Sequence, residues 1–202
     1  DRVSSFMKVV VQAPNLRWLQ MFAAGLDSPV FAMLRDRGVT VTHAAGTSGI
    51  PIAHTVMMHI VAMCRESRTL HIEQGLHQWR GRDVDDVEGR TVGIVGCRHV
   101  GKDFVRLLEP FGCSILVNDI RHYADFYGEF DIRPVSLEEL LRCADVVTLH
   151  VPLDDSTRGI LNKERLALIK PTAILINAAR GDLVDENALK SALIEDRKST
   201  RL

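Results

Sequence analysis

The chain has 202 residues, 46% hydrophobic and 25% charged, with a formal net charge of -1, the balance of an ordinary water-soluble protein with room for one large domain or two small ones. That balance gives no support to nucleic-acid binding, and no apolar run approaches the roughly 18 residues a membrane span needs. The N-terminus lacks the basic-then-apolar layout of a signal peptide, so a cytoplasmic setting is the default expectation. Cys64, Cys97, Cys113 and Cys143 are widely spaced and form no C-x-x-C pair. They are expected to be reduced, small core residues, neither metal ligands nor disulfide partners.

Taken in chain order, MKVVVQA, Met7 to Ala13, reads as a strand and is followed by an apolar segment from Leu16 to Phe22. Val30 to Arg37 then reads as a short helix stopped by Gly38, and Val39 to Thr42 as another strand. From Pro51 to about Trp79 the pattern has Pro at its start and few breakers before Gly75, which predicts one long helix with at most a bend. The stretch RGRDVDDVEGR, Arg80 to Arg90, has the polar composition of a surface connection.

After it the units repeat: strand Thr91 to Val95, helix Val100 to Pro110, strand Ser114 to Asn118, helix Ser136 to Arg142, strand Asp145 to Val151. Helix Asn162 to Lys170, strand Ala173 to Asn177 and a helix from Asp185 complete the series. Ser136 with Glu139 spells a capping box, and Asn162 and Asp185 are good N-cap residues. Short, continuously apolar strands such as VVTLHV and AILIN suit a parallel sheet buried on both faces. Both ends read as cut. The chain opens at Asp1 without an initiator Met. The last seven residues, DRKSTRL, match in order a reading frame of a common sequencing-adapter oligonucleotide, so the natural sequence is expected to stop near Glu195.

The segment TVGIVGCRHVG, Thr91 to Gly101, has the outline of a dinucleotide-binding turn: it follows a predicted strand and opens a predicted helix. Gly96 and Gly101 fill the roles of the tight turn and of close helix-strand packing. The helix N-terminus beginning near His99 offers N-H groups and a dipole to an anion. Asp119, about 20 residues on, is placed to bond ribose hydroxyls, and its charge favours NAD over NADP. Arg98 stands where the middle glycine belongs. A Cβ there crowds the approach of backbone to phosphate, and a left-handed backbone would add strain, while its charge attracts the pyrophosphate. On these residues alone, a glycine turn in some other α/β domain stays open.

Further on, ADVVTLHVPLDDSTRGILNKERLALIKPTAILINAARGDLVDENALKSAL, Ala144 to Leu193, closely resembles the NAD-dependent D-2-hydroxyacid dehydrogenases, with an H-x-P-L...T-x-G run and an N-x-x-R-G-x-x-V-D-E-x-A-L run. The resemblance extends from about Ala13 to Glu195. Within the family it is nearest in its early segment to glyoxylate and hydroxypyruvate reductases. It implies an α/β fold: a doubly wound, Rossmann-type NAD-binding domain over residues 80–195, a remnant of a flavodoxin-like substrate domain over 1–49 and an interdomain helix region over 50–79. Residues 196–202 are, from the adapter match, the expected non-native tail. Arg180 is implied as the catalytic arginine, its planar guanidinium suited to hold a 2-oxo acid's carboxylate and polarise its carbonyl. Gly25 and Leu26, in AAGLD, are implied as substrate-binding through their N-H groups. Implied cofactor contacts are Gly96, His99, Val100 and Gly101 at the phosphates, Asp119 at the ribose, and Val151, Pro152, Ala178 and Ala179 near the nicotinamide side, with Arg98, His150, Thr157 and Asn177 as further cofactor-binding candidates.

The same resemblance implies a small 2-oxo or 2-hydroxy acid as substrate and a homodimer when full length, with the long-helix region contributing to the symmetric dimer. The family's proton donor, a histidine oriented by a glutamate, corresponds to none of the eight histidines here, so the 202 residues by themselves are expected to be catalytically inert or nearly so. His54 and Thr55 also depart from the family pattern at the start of the long helix. Two other functions remain in play: an NAD(H)-sensing, corepressor-like binding module of the same architecture, and a Rossmann enzyme of the adenosyl-homocysteine hydrolase type. The N-x-x-R-G run favours the dehydrogenase over both.

Overall fold

The computed structural model describes residues 2–194, with side chains from residue 6, so the expectation for 196–202 lies outside the described residues. The chain divides into two compact units between Ser48 and Gly49.

The first unit contains α1 (Arg2–Gln12), β1 (Trp18–Met21), α2 (Pro29–Asp36) and β2 (Thr40–His43). The predicted strand over Met7 to Ala13 is instead the last part of helix α1. A continuous apolar run carries no period that separates a strand from a buried helix. Here the face that packs is set at helical spacing: Val10 is buried, with Met7 packed partly beside it, while Val9 is exposed. Val10 joins Leu19, Phe31, Leu34 and Val39 in a small core. The Arg37 guanidinium closes the end of α1, donating to the carbonyls of Val11 at 2.6 Å and Ala13 at 2.8 Å, two acceptors the helix itself leaves unpaired. β1 and β2 pair in parallel, Trp18 opposite Thr40, as a strand-helix-strand unit requires.

The second unit opens with α3 (Gly49–Cys64) and α4 (Ser67–Gly75). The single long helix expected from Pro51 to Trp79 is therefore two helices. Glu66 adopts a left-handed backbone, φ 52°, at a point where the sequence carries neither Gly nor Pro. The Arg82 guanidinium bonds Glu66 at 2.9 Å and also pairs with Glu73, which fixes the break from across the connection. That connection is not wholly a surface segment, because Val87 is buried in the main core.

Then follow β3 (Thr91–Val95), α5 (His99–Leu108), β4 (Ser114–Asn118), α6 (Ala124–Glu129), β5 (Ile132–Pro134), α7 (Leu137–Cys143), β6 (Val146–Leu149), α8 (Lys163–Leu166), β7 (Ile174–Asn177) and α9 (Glu186–Ile194). The strands form one parallel sheet in the order β5-β4-β3-β6-β7. The order reverses between β3 and β6, the topological switch point of a doubly wound fold. One face is covered by a cluster containing Val56 and Ile60 of α3 and Phe104, Val105 and Leu108 of α5; the other by Leu140, Leu141, Leu161 and Leu183. α6 and β5 escaped the sequence reading, because β5 is three residues long with Arg133 and Pro134 exposed. Proline is tolerated there since β5 is an edge strand.

The caps form as expected in part. Ser136 Oγ accepts the Glu139 N-H at 3.2 Å, but the Glu139 carboxylate pairs with Arg133 instead of completing the box. Asn162 and Asp185 accept the N-H groups of Arg165 and Ala188 at 3.0 and 2.9 Å. At the opposite end of the sheet, Asp145 accepts from the Thr91 N-H at 2.9 Å and from Lys170 at 2.8 Å. Burial pushes the Asp145 carboxyl up, but those two donors and the nearby Lys170 and Arg90 charges outweigh it and hold it below the usual carboxylate range. A depressed folded value contributes stability above the unfolded value of about 3.9 and loses it as pH falls through the folded one. Asp145→Ala is expected to cost about 1–3 kcal/mol in urea unfolding at pH 7, and much less near pH 3; an equal cost at both would contradict this.

Candidate dinucleotide site

Four strands end in register. Val95 of β3 lies opposite Asn118 of β4 and Leu149 of β6, and Leu149 lies opposite Asn177 of β7. The residues that follow these four therefore share the carboxyl edge of the sheet, where open α/β sheets bind their ligands. Asp119, Gly96, His150 and Ala178 are those residues.

Gly96 turns the chain there with φ 93°, its N-H donating to the Asn118 carbonyl at 2.8 Å. A Cβ on Gly96 would stand 2.9 Å from the His150 carbonyl carbon, the Val151 nitrogen and Val151 Cγ1, so the turn is pressed against the exit of β6. Gly101 is buried in the first turn of α5, and a Cβ on it would collide with the Gly96 carbonyl oxygen. These are the roles expected of the first and third glycines. The first helical bond of α5 runs from the Lys102 N-H to the Arg98 carbonyl at 2.8 Å. The N-H groups of His99, Val100 and Gly101 thus have no acceptor inside the helix, and all three sit at its positive end.

Arg98 differs from expectation. Its backbone is at φ -87°, ψ -139°, so the strain foreseen for a left-handed residue is absent; what remains is a side chain, exposed at the mouth of the turn. Cys97 beside it is fully buried, and burial first, then the Asp119 carboxylate, push its thiol up to about 12. It stays protonated and unreactive. Asp119 accepts two backbone N-H groups, Cys97 at 2.6 Å and Arg121 at 2.8 Å.

On the β6 side, His150 Nε2 lies 3.0 Å from Thr148 Oγ1, and its ring faces Phe104 of α5 at 6.1 Å. Burial pushes His150 down to about 4, so the imidazole is neutral at pH 7. The loop beyond is knit by Thr157, whose hydroxyl donates to the Pro152 carbonyl at 2.7 Å and accepts the Asp154 N-H at 2.8 Å. After β7, Asn177 accepts the Ala179 N-H at 3.1 Å and donates to the Arg180 carbonyl at 2.7 Å, which sets the turn that presents the exposed Arg180. Gly25 and Leu26 lie in the other unit, in the loop from β1 to α2, with Leu26 packed partly onto the Phe31 cluster. Thr148 is the residue that sequence reading passed over. Its signal was one hydroxyl in an apolar strand, two positions from His150 and so on the same face.

All four cysteines are free. Among the described residues, no group of His, Cys, Asp and Glu could hold a metal ion, and no helix is long and apolar enough to cross a membrane.

Residues 57–200 match the family model for the D-isomer specific 2-hydroxyacid dehydrogenase, NAD binding domain. The chain belongs to this family. The D-2-hydroxyacid dehydrogenase relatives include a glyoxylate reductase of Korarchaeum cryptofilum, 34% identical over 93% of this chain and 58% of its own. A D-3-phosphoglycerate dehydrogenase of Methanocaldococcus jannaschii is 31% identical over 94% of this chain and 37% of its own. Among solved structures, D-lactate dehydrogenase from Aquifex aeolicus, complexed with NAD and lactic acid, superposes with a TM-score of 0.85 at 25% identity, over 94% of this chain and 58% of that one. The chain thus spans little more than half, or less, of these dehydrogenases. The family's cofactor is NAD, and the Gly96 turn fits it: bare backbone pressed on β6 at the switch point, with three unpaired helix N-H groups beside it, is a cradle that a Cβ at Gly96 would fill.

Proposed function

We propose that this chain supplies the NAD(H)-binding half of an enzyme that reduces a small 2-oxo acid, of the glyoxylate or hydroxypyruvate kind, to its D-2-hydroxy acid. The observation that carries the reading is the in-register row of strand ends, which puts Gly96, Asp119, His150 and Ala178 on one edge of the sheet. When bound, NADH supplies the hydride that reduces the carbonyl.

The N-H groups of His99, Val100 and Gly101 hold the pyrophosphate, and Asp119 holds the ribose. Val151, Pro152, Ala178 and Ala179 border the nicotinamide, with His150, Thr157 and Asn177 shaping the loops behind them. Arg180, at the carboxyl end of β7, holds a substrate carboxylate and polarises the carbonyl. Gly25 and Leu26, in the other unit, are substrate-binding residues on the strength of the family resemblance alone. A neutral His150 is no general acid at pH 7, and the family's proton-donor histidine corresponds, on the resemblance, to none of the eight histidines here. Turnover by these 202 residues alone is correspondingly slow. Homodimer formation belongs to the same reading, supported by Leu70 and Ile72 exposed on α4 and Leu76 exposed just after it, as does a cytoplasmic setting.

NADH fluorescence titration of the chain and of Arg98→Gly tests the reading. Both are expected to bind saturably, the variant about tenfold more tightly, a difference of about 1.4 kcal/mol. Removing the side chain clears the phosphate approach and returns backbone to it. Equal affinities would refute the role given to Arg98. With glyoxylate or hydroxypyruvate added, NADH oxidation is expected to stay near background, and robust turnover would overturn the placement of the proton donor.

A further inference from the structure

The Asp119 carboxylate spans two segments. Oδ2 accepts the N-H of Cys97, inside the glycine turn that follows β3, and Oδ1 accepts the N-H of Arg121, just after β4. Cys97 has nowhere to move: its side chain is fully buried, and the preceding Gly96 is held by its own bond to the Asn118 carbonyl. The turn is thus tied to β4 at two successive residues, once by backbone and once by the aspartate. On the far side, the His150 N-H donates to the carbonyl of Val95, just before the turn, at 2.7 Å.

The middle position of this turn is Arg98, which cannot relax into glycine's wider range of backbone angles. A turn with less freedom of its own depends more on outside bonds to keep one shape. The charge-assisted bond of 2.6 Å from the Cys97 N-H to the Asp119 carboxylate is stronger than a neutral backbone bond.

From this we infer that Asp119 is a positioning residue for the cofactor's phosphates, acting through the Cys97 N-H to fix the turn, in addition to any contact it makes with a ribose. The carboxylate sets where the Arg98-to-Gly101 backbone stands. The N-H groups of His99, Val100 and Gly101 therefore meet the pyrophosphate at the right place only while Asp119 is bonded to the turn. The inference rests on the proposed NAD site, and it separates two roles that a substitution of Asp119 would otherwise merge.

The probes that separate them are ADP and 2',3'-dideoxy-ADP, which carry the same diphosphate but differ in the ribose hydroxyls. If Asp119 acted only on the hydroxyls, Asp119→Ala would weaken ADP and leave the dideoxy compound unchanged. The brace predicts that Asp119→Ala weakens both, the dideoxy compound by at least about tenfold, the lower end for one hydrogen bond to a charged group. It predicts in addition that Asp119→Asn, which keeps one acceptor oxygen, restores part of the loss. Amide hydrogen exchange at Cys97 is expected to speed up in Asp119→Ala, while amides in β6 and β7 keep their protection, which separates loosening of the turn from unfolding. Dideoxy-ADP affinity equal in wild type and Asp119→Ala would overturn the inference, as would dideoxy-ADP failing to bind wild type where ADP binds. Failure of wild type to bind ADP or NADH at all would instead overturn the site itself.

Discussion

Gly96→Ala is expected to lower NADH affinity by at least about a hundredfold and to destabilise the second unit. Two separate costs meet at this position. At φ 93° an L-residue is strained, by about 1–2 kcal/mol. The added Cβ would also lie 2.9 Å from the His150 carbonyl carbon and the Val151 nitrogen, and neither is the end of a side chain that can swing away. The turn must therefore lift off β6, carrying the start of α5 with it. A shift of about 1 Å in the N-H groups that face the phosphates is enough for a loss of this size. A fluorescence titration beside a thermal melt checks it; affinity within about threefold of wild type would show that the turn is not where the dinucleotide lies.

The largest loss of stability is expected from Phe104→Ala, about 3–5 kcal/mol. Phe104 is fully buried on α5, in the cluster that joins α3 and α5 to the sheet, and its ring faces His150. Its removal opens a cavity under the helix whose N-terminus forms the proposed phosphate site, so weaker NADH binding should accompany the lower stability. Ile120→Ala is the control: Ile120 is fully exposed just after β4, and a change within about 0.5 kcal/mol is expected. Urea unfolding of both variants decides the matter. Similar midpoints for the two would contradict the packing described here.

The strands that bear the site were legible because each is continuously apolar and bounded by turn residues. Thr91 to Val95 and Ser114 to Asn118 were read with the bounds they have in the sheet. Asn162 and Asp185 were legible as caps because side-chain oxygens bonding N-H groups three residues on is local chemistry. What escaped was decided at a distance. The helix at Val9 was lost because burial on one side, not the β-branched run itself, sets its conformation. The break at Glu66 depends on Arg82, sixteen residues away. Edge strand β5 depends on pairing with β4 rather than on its own three residues.

At the site the same division holds. Gly96 and Gly101 announced themselves by spacing, and Asp119 by its distance from them. The bond from the Cys97 N-H to Asp119 could not be read from either segment alone, since it forms only when β3 and β4 lie side by side. The strain expected at Arg98 was a similar failure. A glycine position suggests a left-handed backbone, whereas Arg98 has a negative φ.

The central claim is that the carboxyl edge between β3 and β6 binds NAD. Titration of NAD into the isotope-labelled chain, followed by amide NMR shifts, tests it most directly. Saturable shifts are expected, concentrated on residues 96–101, 119–121 and 150–152, with the β1 to α2 loop little changed. Absence of shifts up to millimolar NAD in a folded sample, or shifts concentrated elsewhere, would contradict it.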